Sequence, residues 1–574
     1  MLTKIIKIGR LMRPPDLYRN FVQQVNTENG LALLINLAPM EYKGIRIIET
    51  PNEAHLLLYC DQKGQVSGKS PTVNLTLKNK KSAEKLKEDI QKALQKMRNF
   101  FEGEVENIGI LIEEHSEKII QEIENILQNM DKLKSTYLTI MIIQDSQELW
   151  PAEYEPFKQL FLKKALDKAT ETSVNGICHF CGESKAVSAT VNEVFTFATF
   201  DKPGFCPSLK KENAIKVLPI CEECRINLQN GANMVTKNLS FDFLGNKLWL
   251  IPSLTVEDEN TLKNVINKIK QASSELKDFA KKEKTVEQAL CDQDQVVHYD
   301  FLFMKMNQSQ QRIELHLTEI SPTRLRQLVE AAQEAQQRIN IENVPEPNLG
   351  LLWNLYEKPT SRSEERKEYL ALVRSIFQAE SYNLQRFLWY CMRKIRRAAQ
   401  EYVSNDRENF GWRKLTYLSF ASILYLNQIG VFNLKKEGDK VNSDELNAFF
   451  DRYPEFFNES WKKAVFLTGV LAGKVLSIQY AKRQATPFFK KFKGLKMNMQ
   501  DIQGLLAEIR NKLQQYDSYG QRIDLLMKSA ATYYLESSKQ KSTVDELNFV
   551  FTLGLAYSNK EPFKIEEVEE NGNE

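Results

Sequence analysis

The sequence predicts an α+β fold: a mixed N-terminal half with an inserted four-cysteine zinc-binding segment, followed by an all-α C-terminal helical bundle. Three observations carry this expectation. Short apolar runs and amphipathic helical stretches alternate through the first 343 residues. Two Cys-x-x-Cys knuckles, Cys178–Cys181 and Cys221–Cys224, interrupt that half. Past the connection Val344-Pro345-Glu346-Pro347-Asn348-Leu349-Gly350, period-two alternation nearly vanishes and long helical periods take over. The implied division is a mixed α/β domain over 1–175, the zinc-binding insert over 176–235, and a remainder with hairpins over 236–343. A helical bundle then covers 351–565, and an acidic, disordered tail covers 566–574.

In chain order, Ile45–Ile48 and His55–Cys60 read as short strands. Lys81–Phe101 reads as an amphipathic helix, with Ala83, Leu86, Ile90, Leu94, Met97 and Phe101 at helical spacing and lysines opposite. Ser116–Met130 is a second helix. Tyr137–Ile143, a short continuous apolar run, is a strand buried on both faces. After the insert, Phe241–Phe243 and Leu248–Ile251 flank a turn at Gly245-Asn246, and Tyr299–Met306 and Ile313–Ile320 form a second hairpin. Ser321-Pro322 caps a helix running to about Asn340. Helical periods follow at Tyr369–Tyr402, Glu459–Tyr480, Met499–Tyr516 and Val544–Ala556.

Composition bounds the function. The 574 residues suit about two to four domains with real cores. The net charge of +3 places any nucleic-acid site in a local patch rather than in a globally basic chain. Eight cysteines at this length are not a disulfide framework; Cys60, Cys206, Cys291 and Cys391 are scattered. The first residues lack the apolar core of a signal peptide. The most apolar run, Ala464–Ile478, is cut by Lys474, so no membrane span is expected and a reducing cytoplasm fits.

The knuckles carry the strongest chemistry. A two-residue spacing lets both sulfurs of a knuckle reach one ion, and two knuckles supply the four thiolates of a closed, structural Zn2+ shell. Asn175-Gly176, Gly182 and Pro219 suit tight turns around them. The alternative is four buried thiols in a core. Catalytic signals are sparse. None of the five histidines is followed by Asp, and there is no H-E-x-x-H. Gly469-Val-Leu-Ala-Gly473-Lys474 resembles a phosphate loop only faintly and reads as small residues for close helix packing. Cys181-Gly182-Glu183 with Pro219 and Cys221 echoes a zinc deaminase, but Cys178 offers a fourth thiolate and Ile220 separates the proline from its cysteine.

Three segments have nucleic-acid character. Lys482, Arg483, Lys490, Lys491, Lys493 and Lys496 lie in an acid-free stretch interleaved with Phe488, Phe489 and Phe492. Phosphate contacts with base stacking compete there with a solvated loop anchored by its phenylalanines. Arg393, Lys394, Arg396 and Arg397 form a second cluster on one helix. Asn227, Gln229, Asn230 and Asn233 offer side-chain amides that pair with base edges, and Gly231 permits close backbone approach; the competing reading is an ordinary Asn230-Gly231 turn.

Four runs together resemble a family. These are Asn175-Gly-Ile-Cys-His-Phe-Cys-Gly182, Phe200-Asp-Lys-Pro-Gly-Phe205, Lys211-Glu-Asn-Ala214 and Leu218-Pro-Ile-Cys-Glu-Glu-Cys224. They look like the TM-type large subunit of type I-B CRISPR Cascade effector complexes. The match is specific across about 175–235 and architectural elsewhere. The resemblance implies a non-catalytic DNA-binding subunit that reads the short target-flanking motif in duplex DNA and aids R-loop formation. It also implies steering of the displaced strand toward a helicase–nuclease, while guide-RNA pairing reads the target itself. Implied partners are guide RNA, target duplex and displaced strand, the backbone, handle-binding and small Cascade subunits, and the helicase–nuclease. In that family the helical C-terminal part is also made from an internal start. The alternatives are a zinc-bearing RNA-binding or RNA-processing factor and, third, a deaminase-like metalloenzyme.

Overall fold

The computed structural model describes residues 1–60, 68–76, 83–128, 135–171, 173–198, 202–256, 258–275, 297–306, 311–356, 363–405, 411–434, 444–537 and 542–564, with positions 279, 286 and 290. The chain forms two compact units, one built mainly from Met1–Asn238 and the other from Leu239–Met306 and the chain beyond Arg312.

In the first unit, helix α1 (Leu2–Leu11) precedes a sheet of β1 (Asn29–Leu37), β2 (Met40–Glu49), β3 (Val73–Thr76), β4 (Ser135–Gln144) and β5 (Gln147–Leu149). The order is β2-β1-β4-β3, with β5 also on β4. β1 and β2 are an antiparallel hairpin, and β1 runs parallel to β4 from Leu31↔Leu138 to Asn36↔Ile143. β1 reads as continuous apolar sequence because both its faces are covered: Leu33 and Ile35 point to one core, Ala32 to another. Over the larger core lie α2 (Ala83–Arg98), α3 (Glu106–Glu114), α4 (Ser116–Gln128) and α5 (Glu155–Glu171). Ile90, Leu94, Met97, Ile119, Ile123, Phe157 and Phe161 pack there against Leu138, Ile140 and Ile142. The expected helices at Lys81–Phe101 and Ser116–Met130 and the strand Tyr137–Ile143 are present, within end-fraying.

The expected strand His55–Cys60 is not. Ala54–Leu57 is a 3₁₀ turn, and Leu58 adopts φ +46°. The carbonyls that a strand would offer to a neighbour are taken by side chains: Ser70 Oγ donates to Leu58 O at 2.8 Å and Thr72 Oγ1 donates to Leu57 O. Both leucines are thereby buried, which no alternating pattern allows.

The insert region follows with β6 (Val174–Ile177), β7 (Ser184–Ser188), the single turn α6 (Val191–Val194) and β8 (Ile220–Cys221), in sheet order β6-β7-β8. It leads into α7 (Glu222–Asn238), which crosses α1 at two glycines. A Cβ on Gly9 would sit 1.8 Å from Asn227 O, and one on Gly231 would sit 2.0 Å from Ile5 O. Only glycine at both places lets the backbones approach so closely.

The second unit opens with β9 (Ser240–Phe243) and β10 (Asn246–Leu254), joined by a two-residue turn in which Leu244 and Gly245 both have positive φ. Helix α8 (Glu259–Glu275) follows, then β11 (Val297–Met306) and β12 (Gln311–Ile320), giving the sheet order β12-β11-β10-β9. Ser321 caps α9 (Pro322–Ile339) by accepting from Arg324 N at 3.2 Å, and Asn340 closes it at φ +50°. The helices beyond are α10 (Leu349–Tyr356), α11 (Ser363–Gln378), α12 (Leu384–Asn405), α13 (Gly411–Gln428), α14 (Asp444–Asp451), α15 (Ser460–Arg483), α16 (Met499–Gln515), α17 (Gln521–Glu536) and α18 (Val544–Tyr557). Sheet and helices share a core. Phe301 meets Phe377 edge-on at 5.0 Å, Phe243 stacks on Tyr369 at 6.4 Å, and Arg366 pairs with Glu314 at 2.6 Å.

α15 is the centre of the helical part. Its length and apolar composition would suffice to cross a membrane, against the expectation from sequence, but 78% of its most apolar window is buried inside the protein. Gly469 and Gly473 serve close packing, as expected. A Cβ on Gly469 would lie 2.1 Å from Phe551 O, and one on Gly554 of α18 would lie 2.0 Å from Phe466 O. The sequence-expected tail 566–574 lies outside the described residues.

Candidate metal centre and nucleic-acid surfaces

The insert folds so that two chain reversals meet. In the first knuckle, Gly182 N donates to Cys178 O at 2.9 Å and Cys178 N donates to Glu183 O at 2.9 Å; Gly182 has φ +74°. Gly176, expected in a turn, lies instead in β6. The second knuckle spans β8 and the first turn of α7. His179 N donates to Pro219 O at 2.9 Å, tying one knuckle to the other, and Cys221 N donates to Cys178 Sγ at 3.4 Å.

The sulfurs of Cys178, Cys181, Cys221 and Cys224 all lie within 4.8 Å of one another, three of the residues buried and Cys181 exposed. Cys181 Sγ and Cys221 Sγ are 3.9 Å apart. Tetrahedral thiolates about 2.3 Å from a zinc ion stand roughly 3.8 Å from each other, so the donor set fits such an ion. Electrostatics point the same way. Burial pushes the Cys178 thiol up, but backbone N–H groups of Cys181, Cys221 and Phe180 outweigh it and hold it at about 7. Burial raises Cys221. Burial also drives Cys224 well above the ordinary thiol range, followed by its hydrogen bond to Cys221 and the nearby charges of Cys221, Cys178 and Cys181. Four sulfurs this close cannot all be anionic without a cation among them. A deaminase would have three ligands and a water; here four sulfurs lie together, so a bound ion would find a fourth thiolate in reach, and Glu183 is engaged by Lys185.

The amide cluster is not where sequence reasoning put it. Asn230-Gly231 is not a turn; it lies inside α7. Asn227 and Asn230 are each only 4% exposed, and Asn230 Nδ2 reaches Gly9 O of α1 at 3.5 Å. The close approach allowed by Gly231 is to the Ile5 carbonyl; the Asn230 amide faces α1, and the Asn227 side chain is buried, so neither lies on an open surface. Gln229 and Asn233 are half-exposed, and Gln229 Nε2 donates to Asn233 Oδ1 at 3.4 Å.

The arginine cluster on α12 is largely internal bracing. Arg393 donates to Tyr356 O at 2.6 Å, pairs with Glu365 at 3.5 Å and lies over the Tyr390 ring at 5.0 Å. Arg396 donates to Leu495 O at 2.8 Å and pairs with Asp545 at 2.7 Å. Lys394 is half-buried. Arg397 is exposed, beside Glu401 at 3.1 Å.

All six cations of the Lys482–Lys496 stretch are exposed. The three phenylalanines are not: Phe488, Phe489 and Phe492 are 4%, 6% and 0% exposed, so they anchor the loop and offer no face to a base. The stretch is acid-free only in sequence. The fold brings Glu508 to Lys491 at 3.1 Å and Asp501 to Lys493 at 2.6 Å, while Lys482 and Arg483 lie over the Tyr516 ring. Lys490 and Lys496 have no acidic partner among the described residues. Sequence reasoning also passed over the apolar surface of the insert, where Phe205 and Leu209 stand 63% and 71% exposed.

Comparison with protein families accounts for most of the chain. The N-terminal, central and C-terminal domain models of CRISPR-associated protein TM1802 match residues 1–163, 175–320 and 347–569, in that order. No curated protein matches the chain.

Proposed function

Because the chain belongs to the CRISPR-associated protein TM1802 family, we propose that it is the non-catalytic large subunit of a type I-B Cascade complex. In this reading it works in the cytoplasm, recognises the target-flanking motif in duplex DNA, aids R-loop formation and recruits a helicase–nuclease. Guide-RNA pairing supplies the target sequence, so the protein has only a short motif to read. The observation that carries the reading is the run of three matches from one family along one chain. Cys178, Cys181, Cys221 and Cys224 would hold Zn2+ as a structural ion, since four thiolates saturate it. Gln229 and Asn233 are the amides left for base contacts, and Lys482, Arg483, Lys490, Lys491, Lys493 and Lys496 form the exposed cationic row for the displaced strand.

Affinity purification of the full chain from its source cells tests the assembly. The expected companions are a repeat-derived RNA and several copies of a backbone subunit; recovery without either overturns the reading. A salt series on displaced-strand binding tests the cationic row. Replacing Lys490 and Lys496 by alanine should make the log–log slope shallower by roughly 0.7 per lost single-strand phosphate contact. Motif preference should not change, because phosphate contacts carry no sequence information directly. An unchanged slope would assign these lysines to plain surface.

A further inference from the structure

Three of the four sulfurs at the metal centre are sealed from solvent and one is not. Cys178, Cys221 and Cys224 are 0%, 2% and 7% exposed, whereas Cys181 is exposed. The residues after it, Gly182, Glu183, Ser184 and Lys185, are exposed too, so a small oxidant reaches this sulfur directly from water. A ligated cysteine is a thiolate, and thiolate character combined with exposure is what makes a sulfur oxidisable. Its Sγ lies 3.9 Å from Cys221 Sγ, a sulfur of the other knuckle. A disulfide holds its sulfurs at about 2.05 Å, so joining this pair takes a closure of roughly 2 Å. The knuckles do not depend on an ion alone to stay adjacent. β7 pairs with β8 at Val187↔Cys221, and His179 N donates to Pro219 O at 2.9 Å. On the outside, Lys185 bridges Glu183, two residues past the first knuckle, to Glu223 within the second, the latter at 3.5 Å. Sulfurs facing each other across such a frame can be joined without taking it apart.

We propose that Cys181 is a peroxide-modified cysteine and that Cys221 resolves it, so that oxidation links the two knuckles covalently and gives up the metal. The oxidant is hydrogen peroxide. The Cys181 thiolate attacks one peroxide oxygen: an S–O bond forms and the O–O bond breaks. The sulfur is oxidised by two electrons to a sulfenic acid, and the departing hydroxide takes a proton from solvent to become water. The Cys221 thiolate then attacks the Cys181 sulfur. The S–S bond forms, the S–O bond breaks, and the second hydroxide also leaves as water. Cys178 is the poorer resolving partner, because its sulfur already accepts the Cys221 N–H at 3.4 Å. Two thiolates are thereby withdrawn from the shell, and Cys178 and Cys224 alone do not saturate a Zn2+ ion. A dithiol reductant returns both thiolates and with them the site. The inference rests on the zinc reading above and adds to it a reaction of the ligands themselves.

The test titrates the full chain, purified with whatever accompanies it, with hydrogen peroxide in the presence of a chromogenic zinc chelator. Zinc should be released in step with the loss of two thiols per metal ion, and peptide mass spectrometry should find the Cys181–Cys221 disulfide. With dimedone present to trap sulfenic acids, the adduct should sit on Cys181. Dithiothreitol followed by added zinc should restore the original metal content, which separates reversible modification from damage. A Cys206→Ala variant, which lacks the buried thiol of the chain between the knuckles, should release zinc at the wild-type rate. Zinc retained under peroxide, a disulfide within one knuckle or a dimedone adduct on another cysteine of the site overturns the proposal. So does a loss that dithiothreitol does not reverse, or a release that slows without Cys206. Each of these leaves the zinc reading in place. Protein that carries no zinc before peroxide is added overturns both.

Discussion

Cys181→Ser and Cys221→Ser are each expected to remove the metal and lower soluble yield together, since folding of the insert is coupled to filling the site. Elemental analysis checks this, and zinc-free protein at native yield would sink it. The site was legible because each knuckle is local and the four sulfurs need only one further coincidence to meet. The burial of Asn230 was not legible, because its amide reaches Gly9 of α1, more than two hundred residues earlier in sequence. Lys474 makes a second prediction. It is 6% exposed, and its ammonium is held down to about 8, by burial first and then by Arg522, with Glu561 pulling the other way. The unfolded chain therefore binds the proton more tightly than the folded one between about pH 8 and 10.5. Below that window the fold carries the full penalty, and stability from this group rises with pH through it. Lys474→Met should stabilise the protein at pH 7 by about 1–3 kcal/mol and flatten that rise, as read from urea unfolding across pH.

At the scale of elements, the α15–α18 contact depends on bare backbone. A methyl on Gly469 or Gly554 must move a carbonyl now about 2 Å away, so Gly469→Ala and Gly554→Ala should each cost about 3 kcal/mol or more. Chemical denaturation reads the difference, and Gly504→Ala, where nothing lies within 4 Å, is the control. Small-residue spacing at Gly469 and Gly473 revealed close helix packing in the sequence but not its partner α18; the glycine crossing of α1 and α7 escaped notice because its two halves are remote. The two hairpins and the Ser321 cap of α9 were legible from alternation and turn chemistry, although the first turn falls at Leu244-Gly245, one residue before the Gly245-Asn246 expected, and Asn246 already pairs in β10. The Leu57–Leu58 segment was misread because Ser70 and Thr72 supply the hydrogen bonds that a strand would have needed from a neighbour.

For the whole molecule, the proline-rich connection at Val344–Gly350 suggested separate pieces on its two sides. The structure instead wraps the β9–β12 sheet and the helices beyond into one unit. Phe301, Phe243 and Glu314 lie on one side of that connection in sequence, and Phe377, Tyr369 and Arg366 on the other. A product started internally near Leu349 would lack the first three. Such a fragment is expected to expose apolar surface, bind a hydrophobic dye and sediment as aggregates or with a partner that covers the gap. A stable, dye-silent monomer would show the helices to be self-sufficient. The α+β class and the helical second half were readable from the change in period; the shared core was not, because aromatic contacts across it leave no local periodicity.

That shared core also sets an order of events in time. The sheet is fully synthesised at Ile320, but Phe377, which meets Phe301, emerges only after all of α9 and α10 and most of α11. At translation speeds of about 5–20 residues per second, the aromatic face of the sheet waits roughly 3–11 s for its cover. During that interval the nascent chain is a sticky half-molecule, and a chaperone stationed at the ribosome would find its substrate there.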